Sequence, residues 1–142
     1  MANTITITSK QTPTIRALIK DSDGALFDYD DDLATVEELT AEGIDAKPAS
    51  YTIRRSNNAL APYDVSISNS TPVEGYENVE IEESAFIDPA TVEESELPYN
   101  FQVTPSSRAA FPFNDPGYYI VDFTLYPKEG AAIVFRVGVT VK

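Results

Sequence analysis

The stretch DPGYYIVDFTLYPKEGAAIVFRVGVTV, residues 115–141, predicts two long β-strands joined by a tight loop. Every second residue is apolar from Tyr119 to Leu125, and again from Ile133 to Val141. This period of two is typical of strands that bury one face. The loop PKEG, residues 127–130, separates them, and Gly130 can adopt the positive φ that such loops require. Residues 115–141 therefore predict an antiparallel hairpin with one apolar face.

Shorter segments with the same alternation precede this hairpin. They cover residues 3–8, 14–20, 50–54, 63–68, 79–81 and 99–103. Ten prolines and closely spaced turns are typical of an all-β sandwich. A chain of 142 residues fits one domain. We therefore expect a single antiparallel β-sandwich domain over residues 1–142.

Two acidic insertions, near residues 28–45 and 74–96, interrupt the strand pattern. The first contains 8 acidic residues, the second contains 9, and neither contains a basic residue. Together they hold most of the 23 carboxylates, so the remaining chain is mildly basic. We interpret the protein as a nearly neutral scaffold that carries two acidic insertions.

The first insertion contains the only pattern that departs from strand alternation. Leu33, Val36 and Leu39 recur every three residues. Asp32 is a suitable residue to cap a helix start, and Gly43 is a suitable residue to end the helix. One short helix is therefore expected here, with an irregular loop as the alternative.

Composition excludes several classes of function. The net charge of −13 argues against a nucleic-acid partner, because phosphate contacts need Lys and Arg. The chain has no cysteine and no histidine, which excludes disulfides, zinc–thiolate sites and Ser-His-Asp triads. No secretory signal and no apolar run of about 20 residues is visible. We expect no cofactor, no membrane partner and synthesis in the cytoplasm.

The stretch DSDGALFD, residues 21–28, has two interpretations. An Asp23-Gly24 pair after a strand predicts a hairpin turn. The alternative is a weak calcium site formed by Asp21, Asp23 and Asp28, since calcium prefers clusters of oxygen ligands. An EF-hand loop does not fit, because Ile19 would fall at its first ligand position. We favour the turn and expect no effect of calcium on the melting temperature.

The segment DPGYY resembles the tyrosine corner of Ig-like sandwiches. In that corner a Tyr hydroxyl bonds back to the backbone a few residues upstream. Asp115, Gly117 and Tyr119 match its Asp-x-Gly-x-Tyr pattern. Val121 stands where an antibody domain has its second cysteine, so the resemblance is to the wider Ig-like architecture. A simple β-turn is the alternative interpretation.

Two segments, TITSKQTPTIRALIKDSDGALFD at residues 6–28 and the hairpin at residues 116–141, resemble small Ig-like modules of tailed-phage virions. The N-terminal domain of siphophage upper-baseplate proteins is the most similar of these. The resemblance rests on residues 12–28 and 116–141. It implies an assembly or docking module of a tail, baseplate or capsid surface, without catalytic residues. Its partners would be other virion proteins and copies of itself.

The resemblance predicts a non-enzymatic structural protein of a virus particle. Tyr118, Ile120 and Tyr126 are its candidate contact face, because a solvated sheet face would be polar there. Packing of this face under an acidic insertion is the alternative. A carbohydrate-binding or adhesion module, with tyrosines stacking on sugars, is the alternative function. An enzyme using paired carboxylates, as in glycoside hydrolysis, is disfavoured because no converging site is visible.

Overall fold

A computed structural model describes residues 3–56, 70–87, 99–105 and 112–142. Eight strands are present in these residues: β1 Asn3–Ile7, β2 Ile15–Ala17, β3 Ala49–Ser56, β4 Ser70–Pro72, β5 Val79–Glu80, β6 Phe101–Val103, β7 Gly117–Leu125 and β8 Ile133–Val141. Two short helices, α1 Tyr29–Asp32 and α2 Val36–Ala41, and a 3₁₀ turn, Glu83–Ala85, complete the set. The prediction of an all-β fold is confirmed. The strand predicted at residues 63–68 and part of the second acidic insertion lie outside the described residues.

The strands form two sheets. The larger sheet has the order β1-β8-β7-β3-β4, and β5 also pairs with β3. The smaller sheet consists of β2 and β6. All pairs are antiparallel except β1 with β8, which is parallel. The expectation of a purely antiparallel sheet was therefore wrong at β1, whose partner lies at the far end of the sequence.

The predicted hairpin is the centre of the larger sheet. β7 and β8 pair in register from Gly117 opposite Val141 to Leu125 opposite Ile133. Gly130 has a φ of 93°, which only glycine adopts easily in the connecting loop. The face of β7 that begins at Tyr119 is buried throughout, as its alternation predicted. The residues that are buried on this face of β7 are therefore the ones that the sequence alternation predicted.

The core lies between the two sheets. Phe101 of β6 meets Phe123 and Phe135 of the hairpin edge-on, with ring centroids 5.7 and 5.9 Å apart. Phe86 packs against Phe101 from the 3₁₀ turn side at 5.2 Å. Edge-to-face aromatic pairs contribute about 0.5–1.5 kcal/mol each beyond their burial. This aromatic cluster holds the small sheet against the large one and gives the fold its sandwich-like character.

The Asp23-Gly24 turn forms as predicted. Lys20 bridges Leu26 in an antiparallel pair, and the amide of Asp21 donates to the carbonyl of Ala25 at 2.8 Å. Gly24 has a φ of 85°. The turn therefore ends one β-segment and returns the chain to the core.

The helix prediction was wrong in its start and in its number. α1 is capped by Asp28, whose side chain accepts from the amide of Asp30. α2 is capped by Thr35 in a capping box with Glu38, so Asp32 caps neither helix. Thr35 and Glu38 satisfy each other's free amides, which makes this start more stable than one at Asp32. Gly43, with a φ of 77°, lies just beyond the helix end, as predicted.

Candidate interaction surfaces

The segment before β7 contains a hydrogen bond between side chain and backbone. The Tyr119 hydroxyl donates to the carbonyl oxygen of Asp115 at 2.8 Å. This is the connectivity that defines a tyrosine corner. The Tyr119 ring is 3% exposed and meets Phe113 edge-on at 5.3 Å. Burial raises the pKa of Tyr119, while nearby Arg55 and the bond to Asp115 oppose that shift. The hydroxyl therefore stays protonated and donates at neutral pH.

Arg55 of β3 also contacts the segment from Asp115 to Tyr119. Its Nη2 donates to the carbonyl of Pro116 at 2.9 Å, and its Nη1 lies 3.4 Å from an Asp115 carboxylate oxygen. The guanidinium carbon lies 5.6 Å from the centroid of the Tyr119 ring, in cation–π range. Glycine is favoured at position 117, because a φ of 152° strains other residues and an added Cβ would lie 3.2 Å from the Arg55 guanidinium. The segment is thus fixed by three different interactions.

The predicted contact face is only partly available. Tyr118 and Tyr126 are half-buried, whereas Ile120 is 1% exposed. Ile120 pairs across the sheet with Arg54 and with Gly138, which has no side chain to shield it. Its burial shows that other parts of the chain cover this position. Ile120 was therefore wrongly assigned to a contact face, because strand alternation alone does not show what covers the second face of a sheet.

Two of the three candidate calcium ligands, Asp21 and Asp28, accept hydrogen bonds from backbone amides through their side chains. One Asp21 carboxylate oxygen accepts from the amides of Asp23 and Ala25, at 2.9 and 3.0 Å. The Asp28 carboxylate caps α1. Within the described ranges, no group of three or more acidic residues is arranged to hold a metal ion. The expectation about calcium and the melting temperature stays a prediction.

A groove of about 480 Å³ separates the Asp23-Gly24 turn from the β7–β8 loop. Its walls carry charges of both signs, among them Lys20, Asp21, Asp31, Lys128 and Glu129. Asp28 is not among its lining residues. The residues that line it come from two parts of the chain that are distant in sequence, residues 20–32 and 127–133.

Two arginines of the sheets, Arg136 and Arg16, have partners within the chain. Arg136 donates to Asp122 at 3.1 Å across the β7–β8 pair. Arg16 donates to Gln102 at 3.0 Å and lies over the ring of Tyr99. Among the described residues, these groups stabilise the sheets.

Asn100 is a structural residue that sequence analysis missed. It is 1% exposed, and its Oδ1 accepts from the amide of Ile19 at 2.7 Å. Its Nδ2 donates to the carbonyl of Ile19 at 2.8 Å. The side chain thus completes a sheet-like pair with a backbone segment distant in sequence. A single Asn before an alternating run is a weak signal, because most Asn residues at such positions lie in turns.

No family model, curated protein or solved structure matched this chain. In the described part of the chain, no helix is both long and apolar enough to cross a membrane.

Proposed function

We propose that the protein is a non-enzymatic structural module of a tailed virus particle, with an Ig-like architecture. In this role it docks to other virion proteins of the tail, baseplate or capsid surface. The observation that carries the proposal is the Tyr119–Asp115 hydrogen bond at the entry to the β7–β8 hairpin. This bond forms within the Asp-x-Gly-x-Tyr motif, which is part of the resemblance to Ig-like phage modules.

The arrangement of the resembling segments also supports this proposal. Residues 12–28 supply β2 and the Asp23-Gly24 turn, and residues 116–141 supply the hairpin. The backbone of Leu33, just beyond the first segment, bridges Pro127 in the hairpin loop. Both segments also contribute residues to the groove beside the β7–β8 loop, so they are neighbouring parts of one scaffold.

The alternative carbohydrate-binding function requires exposed aromatic faces on which sugars stack. The described tyrosines include three that are almost fully buried, Tyr51, Tyr76 and Tyr119. The other four in the described ranges are half-buried. This distribution favours tyrosines as core and boundary residues over tyrosines as a sugar platform.

Reconstitution tests the proposed function. Particles are prepared from a virus in which the gene is deleted, and the purified protein is added back. We expect the protein to sediment with these particles to a saturable level, and not with an equal mass of unrelated particles. Equal sedimentation with both, or none with either, would contradict the proposal. A glycan-array screen in parallel tests the alternative.

A further inference from the structure

Strand β1 lies at the edge of the larger sheet and has one partner, β8, among the described residues. The amide of Lys142 donates to the carbonyl of Ile7, and the amide of Ser9 donates to the carbonyl of Lys142. Odd-numbered residues of this segment therefore direct their backbone groups toward β8. Because neighbouring residues in a strand direct these groups to opposite sides, Thr4 and Thr6 direct theirs to the open edge.

The open edge has a defined length. The amide of Thr8 donates to the Gln11 side chain, and the carbonyl of Thr8 accepts from the amide of Gln11. Lys10 then turns away with a φ of 69°. No hydrogen bond within the described ranges uses the backbone groups of Thr4 and Thr6, so two amides and two carbonyls can pair with another strand.

The two edges of the sheet differ in their protection against pairing. At the other edge, β4 contains Pro72 and β5 contains the charged Glu80. Proline and charge are the common features that prevent sheets from joining edge to edge. β1, with the sequence NTITI, has neither. Ile5 and Ile7 remain half-buried and Thr6 is exposed.

We propose that β1 pairs antiparallel with β1 of a second copy of this chain, about a two-fold axis through Ile5. In this register Thr4 of each copy lies opposite Thr6 of the other copy. The two pairs use all the available backbone groups of Thr4 and Thr6 in both copies. A two-fold contact requires a self-complementary surface, and this edge fulfils that condition.

Charge also favours a second copy meeting at this strand. The chain carries a net charge of −13, so two copies repel each other over most approaches. Residues 3–8 contain no carboxylate, and the acidic insertions begin only at residue 28. The β8 residues paired with β1, from Val137 to Val141, are uncharged as well. This contact does not depend on the proposed function and would form in the purified protein.

Sedimentation of the purified protein tests the pairing. A contact of this size is expected to be weak, so the concentration should span about 0.01–1 mM. We expect the mass to rise from 15.6 kDa toward twice that value. Thr6→Pro removes an amide that points away from β8 and should keep the protein monomeric and folded. Thr6→Val keeps the amide and should behave as the wild type.

A cysteine variant tests the register. In the proposed pair Ile5 faces Ile5 at a non-hydrogen-bonded position, where Cα atoms are about 4.5 Å apart and a disulfide can form. The chain has no other cysteine, so Ile5→Cys should give a covalent dimer on mild oxidation. Thr8→Cys is the control, because its two copies would lie about 20 Å apart.

A wild type that stays monomeric throughout, or a Thr6→Pro variant that dimerises like the wild type, would overturn the inference. Equal cross-linking of both cysteine variants would do the same. These outcomes concern β1 alone and are distinct from failure of the particle-binding experiment. Melting curves under reducing conditions establish that each variant is folded.

Discussion

Replacing Tyr119 with Phe isolates the hydrogen bond at the entry to β7. The substitution removes the hydroxyl that donates to the Asp115 carbonyl at 2.8 Å and keeps the ring. The ring contacts with Phe113 and Arg55 are therefore retained. A hydrogen bond of this kind contributes about 0.5–1.5 kcal/mol net. Because Asp115 is exposed, water can reach its carbonyl, and we expect a loss of about 1 kcal/mol in the free energy of unfolding.

The neighbouring Tyr118→Phe variant is the matched control. Tyr118 points to the other face of β7, and its hydroxyl has no hydrogen bond among the described residues. Urea unfolding followed by circular dichroism should give a lower midpoint for Tyr119→Phe with an unchanged slope. The melting temperature should fall by about 3–5 °C. If both variants lose the same small amount, the hydroxyl does not fix this segment and the reasoning is refuted.

Three further substitutions test other parts of the structure. Asn100→Ala leaves the amide of Ile19 without its partner, while the Ile19 carbonyl still accepts from the amide of Phe27. The loss should be about 1–3 kcal/mol in urea unfolding, and a loss below about 0.5 kcal/mol would contradict the pairing. Gly117→Ala should cost about 1–2 kcal/mol, because of its positive φ and the approach of Arg55. Measured in an Arg55→Ala background, the same substitution should cost less, by the part that is due to contact with Arg55. Burial raises the pKa of Tyr51 to about 12, so the stability it confers is complete below pH 10 and is lost as the pH rises toward 12. Tyr51→Phe should therefore reduce the alkaline loss of stability, and an unchanged pH profile would argue against that shift.

The sequence predicted the parts of the fold that depend on local pattern. The β7–β8 hairpin follows from alternation and from Gly130, and the Asp23-Gly24 turn follows from its dipeptide. α2 was placed in the correct segment, yet its start was wrong because Thr35 and Glu38 form a capping box that competes with Asp32.

The parts that were not predicted depend on contacts between distant residues. The parallel pairing of β1 with β8 joins opposite ends of the sequence, and no local signal indicates it. Asn100 contacts Ile19 across 81 positions. Ile120 was placed on an open face because its burial depends on what covers the second side of β7. Local periodicity identifies which residues share a face, while tertiary packing determines whether that face is exposed.

The copy number of the chain in purified virus particles tests the central claim most directly. Particles are banded on a density gradient, washed in high salt, and their proteins are quantified by mass spectrometry. We expect the chain in a fixed ratio to the major particle proteins, unchanged by further washing. A chain that is absent from the band, or present only in traces that wash away, would contradict its assignment as a structural component.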